Sequence, residues 1–417
     1  MSTTPTLQPV ADGERLQTLD VLRGVALLGV FLMNIEWFNR PLLENGTGID
    51  LSGGPLDDLA AWGVAWLVQG KFWALFSLLF GMGFSVMSMR AEAAGRGFYG
   101  PYLRRVLALG AFGAAHAILL WPGDILFAYA VTALVLLGLR AFQRAAMPTA
   151  PLGLRWMAGG GIWLCMAGLS LLSGLLLMLV APEPQGAGGG LPMMDALLTE
   201  APRVYAEGSY AEATAFRVRE WLVVAGFGLM MIVPMALALF LIGGWYIRSG
   251  AMRDPAAHRG LWRRHAWIGL PLGLGLAALG LSIADGMSTT TLDARGMLAL
   301  GIGQFASLAL MLGYVGALTL AALSPRLGPW LQAWLAPAGR MALTNYLTQS
   351  LVASCVFFGY GLGVYGEVGR GGQTLFVFAV FALQVLASRW WLARFRYGPM
   401  EWLWRAITYL RLPPMRR

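Results

Sequence analysis

The sequence predicts an all-α polytopic membrane protein of about ten transmembrane helices. Both termini are expected in the cytoplasm, with a carboxyl-terminal helix lying in the membrane interface. Three observations carry this reading. Of 417 residues, 58% are hydrophobic and 12% charged, and that charged share is about half that of a soluble protein. The apolar residues gather into runs long enough to cross a bilayer. The arginines concentrate in every second connecting segment, as the positive-inside rule requires.

The first span is expected over about 20–38, followed by a polar stretch with an amphipathic helix near 56–69. The second runs over 72–89. The third covers 105–121 and stops at Pro122 and Gly123, and the fourth covers 125–142. The fifth is read over 156–180. A polar segment with two short amphipathic stretches fills 181–219. The sixth span, 221–247, contains Pro234 and is expected to kink there. The seventh to tenth follow over 266–284, 297–323, 340–363 and 372–392. From Arg394 the chain is basic and aromatic, with Tyr397, Trp402 and Trp404, which suits a helix in the interface. Residues 1–220 and 221–417 are read as two membrane halves.

Loop charge tests the count. Arg90, Arg96, Arg104 and Arg105 lie between the second and third spans. Arg140, Arg144 and Arg155 lie between the fourth and fifth, and five arginines lie between the sixth and seventh. The alternate segments are acidic or balanced, with Glu44, Asp50, Asp57 and Asp58 in the first of them. A missed or added span would break this alternation. It places both termini in the cytoplasm, with the bilayer as the protein's first partner. The net charge of +9 rests on 29 arginines and the single lysine Lys71, dispersed among loops rather than forming a nucleic-acid surface. Cys165 and Cys355 each sit in an apolar run, and His116, His258 and His265 are the only histidines. Such scarcity argues against a disulfide framework or a zinc or haem centre. Residues 1–15 are polar with no cleavage signature, which argues against a removed signal peptide.

Polar groups inside the spans are candidates for chemistry, because they are costly in lipid. In the first span Arg23 and Asn34 are eleven residues apart, about 16 Å and three turns, so they share one face. Asp20 and Arg23 either form an i,i+3 ion pair or present Arg23 to an anionic group entering from the cytoplasm. His116 is either a base for an acceptor hydroxyl or amine, oriented by Asp124, or a buried histidine bonded to a neighbouring helix. Thr344, Asn345, Thr348 and Gln349 form a polar stripe that serves either as interhelical glue or as the wall of a substrate cavity. Lys71 is a further candidate. His258 and His265 are read as solvated surface.

Several stretches resemble the bacterial domain-of-unknown-function-418 (DUF418) membrane family. They are Arg15 through Asn34, Gly70-Lys71-Phe72, His116 with Gly123-Asp124, Gly339 through Ser350, and Tyr397 through Tyr409. The opening helix is also similar to two groups of membrane acyltransferases. In the acyltransferase-3 family, arginine and ten residues lead to a histidine, where this chain has Asn34. In the heparan-glucosaminide acetyltransferase family, an aspartate, an Arg-Gly pair and an asparagine occupy this helix, and a histidine lies in the following loop. Residues 35–70 contain no histidine.

The resemblance implies a transmembrane acyltransferase. Acyl-CoA would be a co-substrate held by Arg23, Asp20 and Lys71, with no tightly bound cofactor. His116 would be the base, Asp124 its partner and Asn34 a donor to the oxyanion. The acceptor would be a glycan, lipid or small molecule at the outer face. The alternatives are a transporter using the same polar interior, and a catalytically silent relative acting through partners.

Overall fold

A computed structural model describes residues 16–44, 53–95, 97–146, 151–180, 192–283 and 294–417. Fourteen α-helices and no sheet occur among these residues. Eight stretches are long and apolar enough to cross a membrane, and the protein is a multi-pass membrane protein. Two of the ten spans read from sequence fall outside that measure, each for a visible reason. The helix over Tyr99–Leu119 carries Arg104 and Arg105 near its start. The one over Ala342–Phe357 has only 16 residues and is polar on several sides.

Helix α1, Gln17–Asn34, is the most enclosed of the spans. Its burial all round explains why it is apolar all round. After two short 3₁₀ turns, α2 (Pro55–Leu67) presents Leu56, Leu59, Trp62 and Trp66 outward, as an interfacial helix should. It joins α3 (Lys71–Ala93) through Gly70, whose φ of 80° favours glycine. This accounts for the Gly-Lys-Phe motif. Helices α4 (Tyr99–Leu119) and α5 (Leu126–Ala146) form an antiparallel pair, and α6 (Gly153–Val180) lies at the periphery.

Helix α7 (Pro192–Glu207) precedes α8, which runs unbroken from Tyr210 to Arg248. The amphipathic stretch expected before the sixth span is therefore that span's own first turns. Ser209 and Glu212 start it with a reciprocal capping box. The buried Arg217 and the exposed Tyr210 donate to the Leu119 carbonyl, and Arg217 also to that of Leu120. These bonds hold the otherwise unsatisfied end of α4.

Helices α9 (Arg259–Ile283) and α10 (Ala294–Ala322) pack through Gly269, Gly273 and Gly313. On α9, His265 meets the Tyr246 hydroxyl at 2.5 Å and packs edge-on to Trp262. This corrects the reading of His265 as solvated; the aromatic pair draws it inward.

The expected ninth span, 340–363, is the shorter α12 (Ala342–Phe357), and a separate helix, α11 (Leu327–Arg340), precedes it across Met341. Sequence reading missed α11, a short helix with Pro337 inside. It packs tightly on α1: Gly24 abuts the Leu335 carbonyl, and Gly339 abuts the Asp20 carbonyl and the Gly24 nitrogen. Gly339→Ala would drive a methyl group into the α1 backbone. We expect a loss of about 1–3 kcal/mol, read as a lower unfolding midpoint in detergent. An unchanged midpoint would contradict this packing. Helices α13 (Arg370–Arg394) and α14 (Pro399–Tyr409) complete the chain, and α14 packs across α4.

Candidate functional site

A cavity of about 800 Å³ opens beside α1. Its two ends differ in charge. At one end Arg23, Arg90, Arg105, Arg340 and Arg405 line it, against the carboxylates Asp20 and Glu401. The middle is apolar, with Leu27, Val30, Phe76, Phe80 and Leu109. At the other end lie Asn34, Glu36, Asp124, Gln69 and Arg370. Arg23 and Asn34 thus occupy the two ends of one cavity, set about 16 Å apart by the helix that carries both.

At the basic end Arg23 donates to Asp20 at 2.8 Å, so the i,i+3 pair forms and still borders the cavity. Arg105 lies 3.5 Å over the Trp404 ring, and it shares its electrostatic surroundings with Arg23, Arg405 and Tyr409. Helix α14 therefore supplies part of this wall.

Glu401 of α14 caps α12 from outside the helix. Its carboxylate accepts from the Leu343 and Thr344 nitrogens at 2.7 and 3.1 Å and from the Thr344 hydroxyl at 2.6 Å. Burial nonetheless raises its carboxyl above the ordinary range. The native state thus binds this proton more tightly than the unfolded chain. That part of the stability is full below the ordinary carboxylate range and is lost as pH rises through the raised value. Glu401→Gln should flatten this dependence, and unfolding midpoints measured against pH check it. Equal slopes in both proteins would exclude the assignment.

At the other end Asp124 sits just before α5. One carboxylate oxygen accepts from the Phe127 nitrogen at 2.7 Å, an N-cap bond, and the other meets His116 Nδ1 at 2.8 Å. Gly113 of α4 makes room for this turn, since a methyl group there would meet both Asp124 and Phe127. The second ring nitrogen of His116, Nε2, meets the Ser350 hydroxyl at 2.8 Å. His116 and Ser350 are 2% and 3% exposed and do not line the cavity; Asp124 borders it, but its carboxylate is as fully buried as the imidazole it meets. The arrangement expected from sequence, with His116 facing the ligand and Asp124 behind it, is corrected: both side chains are sealed inside the bundle. The short Pro122-Gly123 turn borders the cavity, while the Asp124 carboxylate turns inward to His116.

The polar stripe of α12 divides among three partners. Asn345 donates to the Ser388 hydroxyl at 3.0 Å and to the Ala338 carbonyl at 3.1 Å. Gln349 donates to Gln384 at 2.9 Å, and Thr344 belongs to Glu401. None of the three lines the cavity. The expectation that they form a substrate wall is corrected: they join α12 to α13 and α14. Tyr346 and Ser350, four residues apart on a neighbouring face, turn toward His116 instead, with the Tyr346 and His116 rings 5.0 Å apart. Lys71 is also corrected. Its ammonium is buried, donates to the Ala65 carbonyl at 2.9 Å, and does not line the cavity. It starts α3, 19 residues before Arg90 on the same helix. About 28 Å of helix therefore separates it from the basic end. Asn34 and Asp20 both line the cavity, at opposite ends.

Sequence reasoning missed Arg105, Arg340, Arg370, Arg405 and Glu401 as wall residues. The paired Gly339-Arg340 and Pro399-Met400-Glu401 motifs held a signal, but only the fold shows that they meet.

These features define an α-helical multi-pass membrane protein with an amphipathic interior cavity. The family model described as "Protein of unknown function (DUF418)" matches residues 246–411. The chain is 34% identical to uncharacterized protein YxaH of Bacillus subtilis (strain 168), the match covering 98% of each. It is 30% identical to uncharacterized protein YeiB of Escherichia coli (strain K12), over 95% of this chain and 96% of that one. An uncharacterized 39.9 kDa protein of Bacillus acidopullulyticus is 25% identical over 98% of each chain. The chain belongs to the DUF418 family.

Proposed function

We propose that this protein is a transmembrane acyltransferase of a bacterial cytoplasmic membrane. It moves an acyl group from cytoplasmic acyl-CoA to a hydroxyl or amine at the outer side. One observation carries the reading: a single cavity joins an arginine-rich end to a polar end through an apolar middle. The diphosphate of the donor suits the arginines, whose guanidinium groups bind phosphate in pairs of hydrogen bonds. The arm and acyl chain suit the middle. Asn34 is placed to donate to the thioester oxygen as it becomes an oxyanion. Asp124, whose turn borders the cavity and whose carboxylate is held by His116 and the Phe127 nitrogen, takes the acceptor's proton as its oxygen or nitrogen attacks the carbonyl. The carbon–sulfur bond breaks and the proton passes to the departing thiolate. Purified protein in nanodiscs should bind acetyl-CoA or a longer acyl-CoA and release thiol in the presence of an acceptor mixture. Absence of both binding and release sinks the proposal.

A second reading is transport without covalent chemistry. The feature that favours it is the burial of His116, which leaves no imidazole on the wall. Substrate flux into vesicles with no thiol release, and with Asp124→Asn still active, would select it.

A further inference from the structure

Helix α8 is anchored on both sides of its middle and stands clear between. Near its start the Arg217 guanidinium donates to the Leu119 and Leu120 carbonyls, and the Trp221 ring meets Phe127 edge-on at 5.2 Å. Further along, a Cβ at Gly81 of α3 would strike the Phe240 backbone, and one at Gly243 the Leu78 carbonyl. Between Val223 and Ala236, by contrast, no described residue of α8 is buried. Met230 and Met231 are exposed there, while Val224, Gly228 and Ile232 line the cavity. The glycines of this stretch do not serve packing. A Cβ at Gly226 would meet nothing within 4 Å, and one at Gly228 only the Ile232 side chain at 3.7 Å. Each costs the helix about 1 kcal/mol relative to alanine. Pro234 has no N–H for the Met230 carbonyl four residues back.

The same cavity end is closed more firmly toward the outer water. Trp37, Leu42 and Trp121 line it from within a buried apolar cluster. The Trp121 ring stacks on Phe38 at 4.6 Å, and its nitrogen donates to the Trp37 carbonyl at 3.1 Å. Tyr205 of α7 stacks on Phe358 at 4.6 Å and donates to Glu220 of α8 at 2.6 Å. Among the described residues this end is roofed by aromatic packing, and toward the bilayer it is walled by one loosely backed helix. We propose that the acceptor is a membrane lipid that enters sideways past Val224–Met235 of α8. Its chains stay at the Gly226–Gly228 gap, where apolar groups pass without the desolvation cost a sugar would meet. Its head-group hydroxyl or amine reaches the Asn34 end. This rests on the acyl-transfer reading for the reaction, but not for the lipid site. The head-group oxygen or nitrogen bonds to the acyl carbon, the carbon–sulfur bond breaks, and the head-group proton leaves on the CoA thiol.

The test is photolabelling in nanodiscs with a phosphatidylethanolamine that carries a diazirine close to its head group. The wild type should be labelled at Val30, Leu42 or Trp121, which line the cavity and are buried from bulk lipid. Gly228→Trp should lose those labels and keep the ones on Met230 and Met231, and Gly228→Ala should keep both sets. Ile232→Trp, one turn along, is an independent block. Wild-type labels confined to Met230 and Met231, or cavity labels unchanged in both tryptophan variants, overturn the proposal. In parallel, thiol release from acetyl-CoA should proceed in phosphatidylethanolamine or phosphatidylglycerol and leave acylated lipid detectable by mass spectrometry. It should be lost in phosphatidylcholine, whose head group has neither a hydroxyl nor an amine. Gly228→Trp should lose release and keep its affinity for acetyl-CoA. Release in phosphatidylcholine with a soluble sugar acceptor, and no acylated lipid, also overturns the proposal. If the wild type releases no thiol with any acceptor, the acyl-transfer reading fails, while the labelling still decides the lipid site.

Discussion

Asp124→Asn is expected to lower the rate of acyl transfer by about 10²–10⁴-fold, the range that loss of a positioned base produces. The substitution changes little in shape. Its amide oxygen can still accept from the Phe127 nitrogen, as Asp124 does at 2.7 Å. Its NH₂ group then faces His116 Nδ1, where the native carboxylate accepts at 2.8 Å. Two donors meet, and the ring is driven toward its other tautomer, in which Nε2 donates to the Ser350 hydroxyl. Asparagine is as good an N-cap as aspartate, so stability should change little. Asp124→Ala, by contrast, loses the cap as well and should cost about 1 kcal/mol more. Rates of thiol release and unfolding midpoints for the two variants separate the roles. Full activity in Asp124→Asn would remove Asp124 as the base.

Arg23→Ala is expected to weaken acyl-CoA binding by about 10- to 100-fold, the loss of charge-assisted bonds of about 1.5–3 kcal/mol. Arg23 is part-exposed and its ion-pair partner Asp20 is buried, so the variant also leaves a carboxylate beside the phosphates. Arg23→Lys keeps the charge but not the paired geometry and should fall between. The remaining arginines at this end, Arg105 and Arg405 among them, predict residual binding that weakens steeply with salt. Isothermal titration at two ionic strengths measures both effects. Equal affinities in wild type and Arg23→Ala would place the donor elsewhere.

The membrane architecture was legible in the sequence because lipid imposes a coarse rule: long apolar runs with arginines in alternate loops. Boundaries were legible where the chain marks them, as at Pro122-Gly123 and Gly70. They were lost where it does not. Helix α8 continues through the expected break before residue 221, because its first turns pack on the protein rather than on lipid. Helix α11 was hidden because only its contact with α1 gives Gly339 a reason. The cavity ends were readable from α1, since one helix fixes the spacing of Arg23 and Asn34. The identity of the group at the polar end was not. Whether His116 and Asp124 are sealed inside or face the cavity depends on how the Pro122-Gly123 turn folds back on Gly113. Nor could periodicity choose among Thr344, Asn345, Tyr346, Gln349 and Ser350. They lie on adjacent faces of one helix, and only the neighbouring helices decide which are glue and which meet His116.

The central claim is that the cavity holds an acyl donor with its phosphates at the arginine end and its carbonyl near Asn34 and Asp124. An experimental map of the protein in nanodiscs with a non-hydrolysable thioether analogue of acyl-CoA tests it most directly. The account predicts phosphate density among Arg23, Arg105 and Arg405, and the arm running along α1 to Asn34. An empty cavity under saturating analogue, or a head group at the Asp124 end, would contradict it.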